Sequence, residues 1–163
     1  MRIGVISDTH DHLTVIERAL DTLQERRAEV ILHAGDYVAP FALKLLLRPG
    51  IPLIGVFGNN DGERDGLRKV HPEIHEGPHR FRLMDRSIVM AHEPEVMSRA
   101  IRQEDELAIC GHLHQAEIKS SEALLRVNPG EVCGWVSGRC TGVLVDLKEM
   151  SAEILDFGRQ EIP

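Results

Sequence analysis

The chain's 163 residues, 42% of them apolar, suffice for a sizeable buried core and rule out a disordered polymer. A net charge of -7 with no long basic run excludes a large nucleic-acid footprint, though a small nucleotide still fits. Three cysteines without a CxxC pair disfavour a disulfide framework or a thiolate zinc site. Neither a bilayer-length apolar stretch nor a signal-peptide layout is present, and the expected setting is a reducing cytoplasm without membrane attachment.

The segment Arg2–Ser7 is rich in β-branched residues and reads as a strand ending in the polar loop Ser7–His12. Thr14 and Glu17 are spaced as a capping box, and Ile16, Ala19, Leu20 and Leu23 follow helical periodicity, predicting a helix to about Arg27. Glu29–Ala34 is the next strand. Pro40 suits a first helical turn over Phe41–Leu47, and Pro49-Gly50 stops it. Pro52–Phe57 completes a β-α-β-α-β opening, which implies a parallel sheet with right-handed crossovers.

Beyond a short polar helix near Glu63–Lys69 the pattern changes. Arg80–Met84 and Arg86–Ala91 predict a hairpin across Asp85, and a helix from Glu95 to Arg102 starts at Pro94. Leu107–Cys110 is a brief strand. Ala116–Lys119, Leu124–Val127, Gly142–Leu147 and Ala152–Phe157 read as antiparallel strands, with a turn at Lys148–Met150. With no repeat or linker, residues 1–163 read as one domain. That is too many strands for one flat sheet, so two packed sheets with helices outside are expected.

Five motifs each follow an apolar run: Asp8-Thr9-His10, Gly35-Asp36, Gly58-Asn59-Asn60-Asp61, His92 and Gly111-His112-Leu113-His114. Ligands of open α/β sheets bind beyond the carboxyl ends of strands, where Asp8, Asp36, Asn59, His92 and His112 all fall. Residues two apart in extended chain point the same way, so Asp8 with His10, and His112 with His114, can converge. Each motif alone is commonplace as a turn or cap; their joint placement carries the inference. The mixed carboxylate, amide and imidazole donors are enough for two divalent ions of the Mn²⁺, Fe or Zn²⁺ type. Two such ions activate a water or hydroxide against a phosphate ester. Of the other histidines, His33 is expected to be packed in its strand, and His71, His75 and His79 to be exposed. His12, just past the first motif, is a candidate pocket residue.

On these motifs the chain resembles the calcineurin-like metallophosphoesterase superfamily, and within it the small YfcE-type phosphodiesterases. The resemblance implies an α/β fold, a four-layer α/β/β/α sandwich of two mixed β-sheets flanked by helices. It implies two divalent ions, with Mn²⁺ favoured and Fe, Ni²⁺, Co²⁺ or Zn²⁺ alternatives. It places Asp8, His10 and His114 on one metal, Asn59, His92 and His112 on the other, and Asp36 between them. It also implies a small phosphodiester substrate, a nucleotide among the candidates, and admits a homo-oligomer. Asn128-Pro129-Gly130 resembles the family's late turn near the site, with Glu131 where a small polar residue is common.

The chain departs from the family at two positions. Asn60 stands where many members carry a histidine that touches the phosphate and serves as proton donor; an amide donates a hydrogen bond but no proton at neutral pH. Glu93 follows His92 where glycine is frequent. Asn60, Asp61, His12 and Glu93 are therefore the candidates for phosphate contact or proton donation. The competing functions are a non-catalytic protein-binding scaffold on the same fold, and a phosphomonoesterase or small nuclease.

Overall fold

The computed structural model describes residues 1–47 and 50–160. The expected stop at Pro49 lies outside these residues. The chain runs β1 (Arg2–Ile6), α1 (Leu13–Glu25), β2 (Val30–His33), α2 (Pro40–Leu46), β3 (Leu53–Val56), α3 (Arg64–Val70) and β4 (Ile74–His75). It continues through β5 (His79–Leu83), β6 (Arg86–Met90), α4 (Pro94–Ala100), β7 (Leu107–Ile109), β8 (Ala116–Ser120), β9 (Leu125–Pro129), β10 (Arg139–Asp146) and β11 (Ser151–Arg159).

The strands form two sheets, ordered β11-β10-β1-β2-β3-β4 and β5-β6-β7-β9-β8. In the first, β1 to β4 pair in parallel and β10 returns antiparallel beside β1. In the second, β6, β7 and β9 are parallel, edged by the antiparallel β5 and β8. Both sheets are thus mixed.

Alternation of side chains along each strand separates the core into layers. Ile3, Val5, Leu32, Val56 and Val143 of the first sheet meet Ile88, Met90, Leu107, Ile109 and Val127 of the second. The outward residues of the first sheet, Ile6 and Ile31 among them, pack on Val15, Ile16, Leu20 and Leu23 of α1, on Leu43 and Leu46 of α2, and on Leu67 of α3. On the far face, Val89 and Ala108 receive Met97 of α4. Helices, sheet, sheet, helix is the α/β/β/α order expected.

Three local readings need correction. The capping box does not form: α1 begins at Leu13 with His12 as its N-cap, and no side chain caps it. Thr14 is already inside the first turn, because the loop ahead of it is committed to holding the Asp8–His10 segment. The late strands are not one antiparallel set, since β9 pairs parallel to β7 while β10 crosses to the other sheet beside β1. The stretch His71–His79 is not free surface. His71 Nε2 lies 2.7 Å from the Leu53 carbonyl, Ile74–His75 forms β4, and the half-buried rings of His75 and His79 stack at 3.8 Å. Its short, polar strand carries too little periodicity to be seen in sequence.

Candidate metal centre

The parallel strands of both sheets end at one edge of the sandwich, and the loops leaving them interlock. Asp8 N–H donates to the Gly35 carbonyl at 3.0 Å, joining the β1 and β2 loops. His112 N–H donates to Asp8 Oδ2 at 3.1 Å, joining the two sheets. Gly111 N–H donates to the His92 carbonyl at 2.9 Å, and Asn128 Nδ2 donates to the Gly111 carbonyl at 2.8 Å. Gly58 admits no side chain, because a Cβ there would lie 2.1 Å from Asp36 Oδ1.

Asp8, His10, Asp36, His112 and His114 all have positive φ, between 40° and 69°. Val38, a β-branched residue, stands at φ 79°. Such conformations cost about 1–3 kcal/mol each and persist where surrounding contacts over-determine them, most often at functional sites.

The donor atoms fall into two groups around one carboxylate. Asp8 Oδ1 lies 3.3 Å from His114 Nε2 and 3.7 Å from His10 Nε2. Asn59 Oδ1 lies 2.9 Å from both His92 Nε2 and His112 Nδ1. Asp36 Oδ2 sits between the groups, 3.5 Å from His10 Nε2 and 3.3 Å from His92 Nε2. Asp8, Asp36 and His92 are buried, whereas Asn59 and His112 are exposed, so the cluster opens to solvent on one side.

Among the described residues, buried Asp8 Oδ1 and His10 Nε2 have no hydrogen-bond partner. Leaving a buried polar atom unpaired costs about 1–3 kcal/mol, more for a charged one, and native proteins rarely tolerate it. A cation beside them satisfies both atoms, and the set of carboxylate, imidazole and amide donors is the kind that divalent transition metals take.

Surrounding groups fix the ring orientations. His92 Nδ1 donates to the Ala34 carbonyl at 2.8 Å, which turns Nε2 inward. Burial opposes the charge of His92, but the hydrogen bond and charge of Asp36 outweigh it and hold the imidazole up at about 9. Burial likewise opposes ionisation of Asp36, yet the hydrogen bond and charge of His92 and the hydrogen bonds from Asn60 keep its carboxyl well below the usual range. Beneath the site, Gly35 N–H donates to His33 Nδ1 at 3.1 Å, so His33 Nε2 carries the proton toward Thr9 Oγ1, also 3.1 Å away. Burial pushes His33 down to about 3, leaving it a neutral strut.

Comparison with known proteins agrees with this geometry. A model of the calcineurin-like phosphoesterase superfamily domain matches residues 1–150. The phosphodiesterase MJ0936 of Methanocaldococcus jannaschii is 32% identical, covering 95% of this chain and 99% of its own. The chain belongs to the calcineurin-like phosphoesterase superfamily. A solved archaeal phosphodiesterase superposes with TM-score 0.84 at 29% identity, over 96% of this chain and 99% of that one. The Escherichia coli phosphoesterase YfcE shares the fold at TM-score 0.72 and 20% identity, over 97% of this chain and 100% of that one. So does Vps29 of Entamoeba histolytica, at 0.70 and 19%, with the same coverage. Membership makes the chain a metal-dependent phosphoesterase of the phosphodiesterase kind.

Within this phosphoesterase, the candidates for phosphate contact occupy different settings. Asn60 is exposed but turned onto Asp36, giving Nδ2 to Oδ2 at 2.7 Å and its N–H to Oδ1 at 2.9 Å. Asp61 is buried and accepts N–H groups from Asp36, Val38 and Gly58 at 3.0, 2.8 and 2.7 Å. That is the geometry of a brace rather than of a proton donor, although burial raises its pKa. His12 is half-buried, with Nε2 3.3 Å from Gln160 Oε1 and its ring 5.8 Å from Trp135. Glu93, the uncapping N-cap of α4, lines a 580 Å³ groove with Pro94, Val96, Arg99, His112 and Leu113.

Two neighbours escaped the sequence reading. Trp135 is half exposed, its ring 5.9 Å from that of His10. Glu131 is wholly buried; its Oε2 accepts from His114 Nδ1 at 2.8 Å, and its carboxylate also accepts the Val136 and Ser137 N–H groups. Burial disfavours its charge, but those donors hold it down at about 2. The same contact raises the His114 pKa and leaves Nε2 facing Asp8. Only the unusual acid in the late turn hinted at it.

Proposed function

We propose that this enzyme hydrolyses a small phosphodiester using two divalent cations, one held by Asp8, His10 and His114 and the other by Asn59, His92 and His112. Asp36 is shared between them. The observation that supports this most directly is the place of Asp36 Oδ2, within 3.5 Å of one imidazole nitrogen from each donor group. Cations held by these side chains would neutralise phosphoryl charge and lower the pKa of a water toward neutrality. Mn²⁺ is the first candidate ion, with Fe, Co²⁺, Ni²⁺ and Zn²⁺ compatible with the same donors.

The protein's own groups set the rest. His92, oriented by the Ala34 carbonyl, and His114, oriented by Glu131, present Nε2 to the centre, as imidazole ligands do when their other nitrogen is tied. Asn60 keeps Asp36 ionised and in place through two hydrogen bonds. Its amide contributes no proton to the leaving group, so departure depends on the leaving group's own acidity. The exposed side, where Asn59 and His112 lie, admits the ester, and the groove beside Glu93 and Leu113 accommodates one substituent, a nucleotide base or sugar among them.

The test is hydrolysis of bis(p-nitrophenyl) phosphate after removal of metal by chelation. Activity should vanish and return with Mn²⁺ at close to two ions per chain. Full turnover in the stripped protein would overturn the reading. Faster turnover of p-nitrophenyl phosphate than of the diester would replace it with a phosphomonoesterase.

A further inference from the structure

Of the three buried cysteines, Cys133 alone joins a group of potential metal donors among the described residues. Its Sγ lies with a ring nitrogen of His10 and one of His114, all within 4.8 Å of one another. Asp8, His10 and Asp36 form a second such group, and His10 belongs to both. Asp8 Oδ1, in the second group, and Nε2 of the shared His10 are buried without a hydrogen-bond partner among the described residues. The backbone keeps sulfur and carboxylate in register, because Cys133 N–H donates to the Asp8 carbonyl at 3.1 Å. Gly134 at φ 70° then turns the chain away toward Trp135.

We propose that Cys133 supplies a thiolate to the cation held by Asp8, His10 and His114, making that position a mixed oxygen, nitrogen and sulfur site. This rests on the two-cation reading above. Its consequence is an asymmetric centre. The sulfur-bearing position favours Zn²⁺, Fe²⁺ or Co²⁺, for which thiolate is a strong ligand, over Mn²⁺. The position made by Asn59, His92 and His112 offers only oxygen and nitrogen and lacks the added preference that a thiolate brings.

The thiol is protonated while no cation is near it. Cys133 Sγ donates to Glu131 Oε2 at 3.1 Å, and burial keeps its proton on. A thiol that coordinates a divalent cation is deprotonated outright. The S–H bond breaks heterolytically, its electron pair forms the sulfur–metal bond, and the proton passes by way of Glu131 to water. Glu131 is the acceptor already in contact. Glu131 and Cys133, two residues apart, thus belong to one arrangement.

Titrating the chelator-stripped protein with Co²⁺ tests this without recourse to activity. One of the two equivalents should bring a near-ultraviolet sulfur-to-cobalt charge-transfer band. The band should be lost in Cys133→Ser and kept in Cys110→Ser and Cys140→Ser. Two equivalents of cobalt bound without that band would overturn the thiolate ligand and leave the cation pair standing. Absence of cobalt binding would overturn both, and a band persisting in Cys133→Ser would overturn the assignment. Because a buried substitution can unsettle the fold, cadmium NMR of the unmutated protein supplies a second reading. One strongly downfield resonance, as thiolate gives, is expected; two resonances in the oxygen and nitrogen range would overturn the proposal.

Discussion

The floor and the rim of the metal centre are built on opposite principles. On the floor, Asp8, Asp36 and His92 are buried, and each is tied to a backbone group or a neighbouring side chain; Asp8 and Asp36 are held at positive φ as well. On the rim, Asn59, Asn60 and His112 are exposed and Trp135 is half so. The floor concentrates charge and left-handed backbone, while the rim is left free to meet a substrate. Rigid charge below and an adaptable mouth above is how a centre can be preorganised yet remain open.

The largest break in this contrast comes from Asp36→Ala, which removes the floor carboxylate that the proposed function shares between two ions. A loss of more than about 10³ in kcat/KM is expected, on the scale of deleting a preorganised charge. Retention of two cations and full turnover in that variant would show that Asp36 is not shared.

A nearly comparable effect should come from the rim's lack of a proton donor. Aryl phosphodiesters should react about 10²–10⁴-fold faster than alkyl ones, the contribution a general acid would otherwise make. Equal rates with chemistry limiting would mean that a group such as His12 or Glu93 delivers a proton after all.

The floor should also make metal binding depend on pH. His92 holds a proton to about 9 in the folded, metal-free protein, against 6.5 unfolded. The proton must leave for Nε2 to bind a cation, so affinity should rise with pH and level off above about 9. For the metal-free fold the sign is the reverse. The ion pair with Asp36 contributes fully below 6.5 and is lost as pH rises through about 9. Competition against a coloured chelator across this range checks the affinity, and a flat profile between pH 7 and pH 9 would contradict it.

The smallest effect sharpens the strain argument. Val38, half-buried beside the floor, stands at φ 79° and gives its N–H to Asp61. Val38→Gly should stabilise the protein by about 1 kcal/mol, relieved backbone strain exceeding the added flexibility of the unfolded chain. The midpoint of urea unfolding measures this; a lower midpoint would show that the strain is not there.

The placement of donors after apolar runs was legible in sequence because strand-end motifs are local. Asp8, Asp36, Asn59, His92 and His112 follow β-branched or glycine-terminated segments, and the early β-α-β-α-β order dictates a parallel sheet. The number of strands, too many for one flat sheet, likewise announced two sheets. Periodicity could not announce β4, whose two residues are too few for a period, nor the N-terminus of α1, where the needs of the Asp8–His10 loop overrode a good capping pattern at Thr14.

What only the tertiary structure decided is which residues stand behind the donors and on which side. Cys133 reads in sequence as an inert thiol, because nothing within its own segment could ligate a metal; the other members of its group come from the loops after β1 and β7. Glu131 reads as an odd residue in a turn until His114, Val136 and Ser137 are seen to converge on its carboxylate. Sequence fixes covalent neighbours and periodicity, which determine strands and their ends. The orientation of an imidazole, the orphaning of Asp8 Oδ1 and the reach of a sulfur depend on contacts between segments distant in sequence, and those exist only once the two sheets close.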